Sequence, residues 1–108
     1  MAVQQKDWYA WVDEMPPPPS HLHVVGELLA PNPGVEALLT VKEPQGINPG
    51  VLLLDLHLIQ KPGMWPQVMT WVQARYEKTL VPVSPKYSEV QVSLNGNPLI
   101  TVPVVEIH

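Results

Sequence analysis

The sequence contains no cysteine. It therefore has no disulfide framework, no thiolate zinc site and no cysteine nucleophile, and its stability must come from a packed core. Charged residues are also scarce, at 15% of the chain against roughly 25% in an average soluble domain. Hydrophobic residues make up 45% of the chain. A chain of this composition cannot cover its whole surface with charge, which favours self-association or a covered face.

Positive charge is scarce as well. The 108 residues include only six Lys or Arg, which are scattered, and the formal net charge is −4. Nucleic-acid binding depends on clustered positive charge that faces the phosphates. Docking on anionic lipid needs a similar basic cluster. We therefore expect neither nucleic acid nor a membrane among the partners.

Long apolar runs are missing too. The longest ones, such as Val51–Leu54, are far too short to span a bilayer. The first residues, Met1–Asp7, are polar and do not have the basic start and apolar centre of a signal peptide. We expect a soluble, cytoplasmic protein, and the length fits one domain.

Sequence motifs of catalysis are absent. No serine lies in the Gly-x-Ser-x-Gly elbow of hydrolases, and no glycine-rich loop is present to bind phosphate. Asp13 and Glu14 are consecutive, which does not place two carboxylates across a cleft. The sequence therefore predicts a protein that is not an enzyme.

The first part of the chain has the spacing of an amphipathic helix. Four large apolar residues recur at the spacing of one helical face: Trp8, Trp11, Val12 and Met15. Asp7 stands at a suitable N-cap position, and Pro16 prevents the helix from continuing. We predict a short helix over Asp7–Met15. The predicted organisation is a helical appendage with a proline-rich linker at 1–19, followed by a β-sandwich domain at 20–108.

From residue 20 onward, apolar residues alternate with a period of two, which is typical of strands with one face on a core. Pro-Gly pairs at 33–34, 49–50 and 62–63 fit turns between strands. The pattern predicts an all-β fold, an antiparallel sandwich of six or seven strands that is immunoglobulin-like or resembles a small barrel. The predicted inner faces are Leu22, Val24, Gly26 and Leu28; Val35, Ala37, Leu39 and Val41; Leu52, Leu54, Leu56 and Leu58; Val68, Val72, Ala74 and Tyr76; Val90, Val92 and Leu94; and Ile100, Val102 and Val104.

The last two predicted strands meet at the turn around Asn95. A two-residue turn would place Val92 opposite Leu99, whereas a three-residue loop places Val92 opposite Ile100. The longer loop keeps the apolar faces together, so we predict that register. Pro103 cannot donate a backbone hydrogen bond, which predicts that the last strand is an edge strand or is bulged there.

The strongest chemical pattern is His21-Leu22-His23. Two histidines at i and i+2 on a strand point to the same side, so both rings can reach one metal ion. Asp55 and His57 repeat this spacing on a later strand. If the two strands are neighbours, these residues predict a site for Zn²⁺ or Fe²⁺. The alternative is that all four are ordinary polar residues on solvated strand faces.

A second set of residues predicts a protein interface. Large apolar side chains lie on the supposedly outer faces, where either another part of the fold or a partner must cover them. The candidate partner-binding residues are Trp8, Trp11, Leu53, Trp65, Met69 and Trp71. The sequence thus favours a binding or assembly module without a cofactor that forms a homodimer or another complex through a hydrophobic sheet face. The alternative function is a small metal-binding β protein that uses His21, His23 and His57.

Overall fold

The computed structural model describes residues 4–14, 19–43, 45–46, 48–80 and 86–107. In these residues the prediction of an all-β fold is confirmed, because they form seven strands and no helix. The strands are β1 (Gln5–Asp13), β2 (Ser20–Ala30), β3 (Val35–Val41), β4 (Val51–Gln60), β5 (Thr70–Leu80), β6 (Glu89–Leu94) and β7 (Asn97–Ile107).

The strands form one mixed sheet in the order β3-β4-β6-β7-β1-β2-β5. Its two outermost strands, β3 and β5, lie beside each other, so that the sheet nearly closes into a barrel. The predicted antiparallel sandwich is wrong, because β1 pairs in parallel with β7 and β4 pairs in parallel with β6. The alternating pattern shows which face of a strand is buried, but it does not show which strand lies next to it.

The core lies on the inner side of the curved sheet. The inner faces predicted for β2 and β6 are confirmed, and those predicted for β3, β4, β5 and β7 hold over most of each strand. Val68 is an exception, since it precedes β5 and is exposed. Leu58 is another, because β4 runs beyond the core at its end and leaves the side chain partly in solvent. The largest fully buried side chains are Leu22, Val24, Leu28, Leu52, Leu54, Val90 and Val92.

The predicted N-terminal helix is wrong. Residues 5–13 form β1, which pairs with both β2 and β7. Trp8, Ala10 and Val12 contact the core, while Trp11 lies on the outer face opposite His23. The prediction failed because Trp11, a large apolar residue on the outer face, falls at helical spacing from Trp8. The inward position between Trp8 and Val12 is the small residue Ala10, so the alternation of a strand was not evident in the sequence. The remaining residues of this prediction, Met15 and prolines 16–18, lie outside the described residues.

The β6–β7 hairpin confirms the predicted register, with Val92 opposite Ile100 and Val90 opposite Val102. The loop itself is shorter than predicted, because Leu94 pairs with Asn97 across a two-residue turn. A register shift follows between Val92 and Ser93. An extra residue on β7 therefore restores the apolar pairing, as a β-bulge does.

Pro103 does not mark an edge strand. The strand that contains it, β7, has β6 on one side and β1 on the other. Pro103 lies opposite Glu89 of β6, and the ladder with β1 begins one residue later, at Val104. Pro103 therefore lies just before the segment of β7 that pairs with β1. The ladder between these two strands does not need a backbone N–H at this position.

Candidate functional site

One connection between strands is exposed along its whole length. Residues 61–69 join β4 to β5, and each of them is solvent-exposed. Several are nevertheless apolar, with Met64 fully exposed, Met69 62% exposed and Val68 57% exposed. Monomeric proteins rarely leave large apolar side chains together in water. This connection is therefore the candidate functional site.

Trp65 anchors this connection to the sheet. Its indole N–H donates a hydrogen bond to the carbonyl oxygen of Lys61 at 3.0 Å. Its ring lies against Gly34, just before β3, where a β-carbon would overlap the ring. Because glycine has no side chain, the backbone and the indole can approach this closely. The connection is thus held at a defined position while its neighbouring side chains face solvent.

A hydrogen-bonded amide pair supports the position of Trp65. Asn32 donates to Gln60 Oε1 at 2.8 Å, and Gln60 donates back to Asn32 Oδ1 at 3.1 Å. The same Oδ1 accepts the backbone N–H of Gly34 at 2.9 Å. In turn, the carbonyl of Gly34 accepts the N–H of Lys61 at 2.9 Å. These bonds join the start of β3 to the end of β4 directly beneath the indole.

Trp71 continues the exposed apolar surface onto β5. Its ring is 37% exposed, and the ammonium group of Lys6 lies 4.2 Å from the ring centroid. Lys6 also lies 3.9 Å from a carboxylate oxygen of Glu27. A cation over an indole leaves part of the ring accessible. We call the set Met64, Trp65, Val68, Met69 and Trp71 the apolar end surface.

More apolar side chains lie on the adjacent β3–β4 hairpin. Leu38, Leu58 and Ile59 are each about two-fifths exposed. Ile59 pairs with Glu36, and Leu58 pairs with Ala37, close to the point where Lys61 leaves the strand. The end of the sheet that carries the apolar end surface is therefore apolar on β4 as well as on β5.

The other predicted partner-binding residues lie elsewhere. Trp8 packs inward against the core, so its ring does not belong to an outer face. Trp11 lies near the opposite end of the sheet, stacked on His23 with ring centroids 5.1 Å apart. Leu53 is half-buried near the start of β4, where its backbone bonds to Gln45. The structure places Trp65, Met69 and Trp71 at one end of the sheet, and separates these three from the rest.

The four predicted metal ligands do not converge. His21 and His23 lie on β2, whereas Asp55 and His57 lie on β4, and the two strands are not neighbours. His57 instead forms a 2.9 Å hydrogen bond with Thr40 on β3. Across the described ranges, no group of three or more His, Asp or Glu side chains is arranged to hold a metal ion. The condition for the predicted four-residue centre is therefore not met.

Among the described residues, two side chains have shifted pKa values, and neither belongs to the apolar end surface. Burial raises the pKa of Tyr76, and the neighbouring Tyr87 raises it further. A hydrogen bond to Glu106 raises the pKa of Lys86 on the protein surface, and the charges of Glu106 and Glu14 act in the same direction. Lys86 Nζ lies 3.1 Å from Glu106 Oε1. These shifts follow from packing and ion pairing.

Sequence reasoning did not assign Met64 and Val68 to the site. Val68 continues the alternation of Val72 and Ala74, which placed it in a strand, but the strand begins only at Thr70. The signal that could have corrected this is the pair Pro62 and Pro66, which bracket Met64 and remove two backbone donors from the segment. A segment with this chemistry favours an exposed connection over a buried strand.

Comparisons with known proteins give no relative from which a role could be inferred. No family model matches the chain, and neither the curated proteins nor the solved structures include a match. The part of the chain that the structure describes forms no helix long and apolar enough to cross a membrane. The functional argument therefore depends on the surface alone.

Proposed function

We propose that this protein is a non-enzymatic assembly module that binds a second copy of itself through the apolar end surface. The observation that carries this proposal is the continuous exposure of residues 61–69, with a fully exposed Met64 at their centre. Trp65 fixes this segment against Gly34, so the side chains are presented on a supported backbone. Binding to a preformed surface avoids the entropic cost of ordering a loop.

The area of the apolar end surface suits such a contact. At roughly 150–250 Å² for a large side chain, the exposed fractions of its five residues amount to on the order of 600 Å². Functional patches on monomers have about this size. A standard interface buries about 800 Å² on each partner. The apolar end surface with its polar rim therefore comes close to one side of a stable dimer.

The charges beside this surface favour a second copy as the partner. Lys61 and Glu36 are both exposed. Lys61 accepts the hydrogen bond of the Trp65 indole through its carbonyl oxygen, and Glu36 lies opposite Ile59, two residues before Lys61. A patch that carries both signs can bring unlike charges together when a two-fold axis relates two copies. Two-fold dimers are also the commonest way to bury a self-complementary patch. A strongly basic or acidic partner would not gain from this mixed rim.

Two valine substitutions provide a matched test. Val68 lies in the apolar end surface and is 57% exposed, whereas Val105 lies towards the far end of β7 and is 59% exposed. Sedimentation equilibrium should give a dimer for the wild type and for Val105→Asp, and a monomer for Val68→Asp. A carboxylate buried in the contact would lose its solvation without gaining a partner.

Two outcomes would contradict the proposal. One is a wild-type protein that remains monomeric at high micromolar concentration. The other is an equal loss of dimer in both aspartate variants, since this would place the contact elsewhere or reflect a general effect of charge. Circular dichroism of each variant confirms that it is folded, and Met64→Asp offers a second substitution at a side chain that supports no neighbour.

A further inference from the structure

The outer face of β1, β2 and β5 carries a cluster that includes both histidines of the His21-Leu22-His23 sequence. In the register of these strands, His21 lies between Asp13 and Thr79. One step further along, His23 lies between Trp11 and Glu77. Both histidines point outward, since Leu22 between them is fully buried. This cluster lies near the opposite end of the sheet from the apolar end surface.

Side chains of β5 contact both imidazole rings. His23 Nδ1 lies 3.4 Å from a carboxylate oxygen of Glu77, and His21 Nδ1 lies 3.4 Å from the hydroxyl oxygen of Thr79. Both contacts are made by Nδ1, so Nε2 is the ring nitrogen that would face an ion. Histidines that bind metal ions have this arrangement, with one ring nitrogen held by a polar group and the other directed at the ion.

The separation of the rings is within the reach of one ion. Their centroids are 6.3 Å apart and their planes are inclined by 47°. An ion bound at about 2.0–2.1 Å by one nitrogen of each ring lies about 3.2 Å from each centroid. Shared binding at a separation of 6.3 Å therefore requires the two nitrogens to lie on opposite sides of the ion. His21 is exposed and can rotate towards His23, which is held by its stack on Trp11.

We propose that His21 and His23 form a two-imidazole site for a divalent transition-metal ion, with water in the remaining coordination positions. Glu77 acts as a positioning residue that holds His23 and does not bind the ion. Imidazole ligands bind Cu²⁺ more tightly than Zn²⁺, Ni²⁺ or Co²⁺. This site differs from the four-residue centre that the sequence predicted, because Asp55 and His57 take no part in it.

The position of Trp11 provides a direct readout. Its ring is stacked on His23 with an interplanar angle of 20°, so a bound Cu²⁺ ion quenches its fluorescence. The test titrates untagged full-length protein with Cu²⁺ and follows both the heat of binding and the fluorescence. We expect one equivalent to bind, the fluorescence to fall, and a chelator to restore it.

Variants assign the binding to individual residues. His21→Ala and His23→Ala should each weaken Cu²⁺ binding by about tenfold or more, and Glu77→Gln should weaken it less. The control is His57→Ala, since His57 is also an exposed strand histidine with one hydroxyl neighbour. It should bind Cu²⁺ like the wild type. Trp11→Phe should retain the heat of binding and lose most of the quenching.

The proposal is overturned if no stoichiometric Cu²⁺ binds, or if His57→Ala weakens binding as much as His21→Ala does. It is also overturned if Mg²⁺, which prefers oxygen ligands, competes with Cu²⁺ at similar concentrations. Circular dichroism confirms that each variant is folded, and His23→Gln replaces His23→Ala if the smaller side chain disturbs the stack on Trp11. None of these results depends on the oligomeric state, so this proposal and the assembly proposal can fail separately.

Discussion

The fused edge of the Trp8 indole lies directly over the α-carbon of Gly26, where a β-carbon on residue 26 would overlap the ring. The contact depends on an irregularity in β1. Asp7 has a positive φ of 56°, and the register with β2 shifts between Lys6 and Tyr9. The extra residue turns Trp8 inward, and the absence of a side chain at position 26 makes room for the indole.

Gly26→Ala should destabilise the protein by about 2 kcal/mol, because overpacking a core commonly costs 1–3 kcal/mol. Urea-induced unfolding measures the change. Gly46→Ala is the control, since the nearest atom to a β-carbon there is the end of the Leu53 side chain at 3.3 Å, which can move. It should change the free energy of unfolding by less than about 0.5 kcal/mol. If the cost at residue 26 persists in a Trp8→Leu background, the contact with the indole is not its cause.

Gly96→Ala should destabilise the β6–β7 hairpin for a different reason. No atom lies within 4 Å of a β-carbon at residue 96, but its φ is +81°. Asn95 also has a positive φ, of 53°, as the type I′ hairpin turn requires. We expect a loss of about 1 kcal/mol from backbone strain alone. Gly96→Asn should cost less, because asparagine tolerates this conformation, and equal losses in the two variants would exclude strain as the explanation.

Lys6 and Trp71 should be energetically coupled. The ammonium group lies 4.2 Å from the indole centroid, and a cation–π contact at an exposed site contributes about 0.5–1 kcal/mol. A double-mutant cycle with Lys6→Met and Trp71→Leu, measured by chemical unfolding of dilute protein, gives this coupling. Glu27→Gln serves as the comparison, because the Lys6–Glu27 pair at 3.9 Å is exposed and contributes little. A coupling near zero would show that the cation and the ring do not interact in solution.

Stability should fall at alkaline pH through Tyr76. Burial raises the pKa of its phenol above the ordinary value of 10.0, so the unfolded chain loses this proton at a lower pH than the folded protein. The contribution to stability is complete below the ordinary value and is lost as the pH rises through the raised value. Tyr76→Phe should make the free energy of unfolding less dependent on pH in this range. A Tyr76→Phe variant with the same pH dependence as the wild type would contradict this assignment.

Prediction from the sequence was most successful where side-chain alternation and apolar pairing acted together. The register that places Val92 opposite Ile100 follows from keeping two apolar faces on one core, and the bulge in β7 preserves it despite the short turn. The first strand was missed because Trp11 is covered by a histidine rather than by the core. A tryptophan that stacks on a polar neighbour at the surface cannot be distinguished from a core tryptophan by the sequence alone.

The candidate site could be predicted only in part. The sequence pattern identified Trp65, Met69 and Trp71 as apolar residues that do not lie on the core-facing side of a strand. In the structure they share one end of the sheet. Their separation from Leu53 could not be predicted, because it depends on which strands are neighbours and in which direction each runs. The separation of His57 from His21 could not be predicted for the same reason, because the strand order places β2 and β4 apart.

The parallel pairing of β1 with β7 has a consequence for how the protein folds. Ala10 pairs with Val104, and Gln5 reaches the carbonyl of Leu99, a contact across 94 positions of sequence. During synthesis β1 therefore has β2 as its only strand neighbour until β7 has left the ribosome. Contacts between such distant segments close large loops and slow folding, typically to milliseconds or seconds. In the interval, the unpaired edge of β1 is open to pairing with another nascent chain.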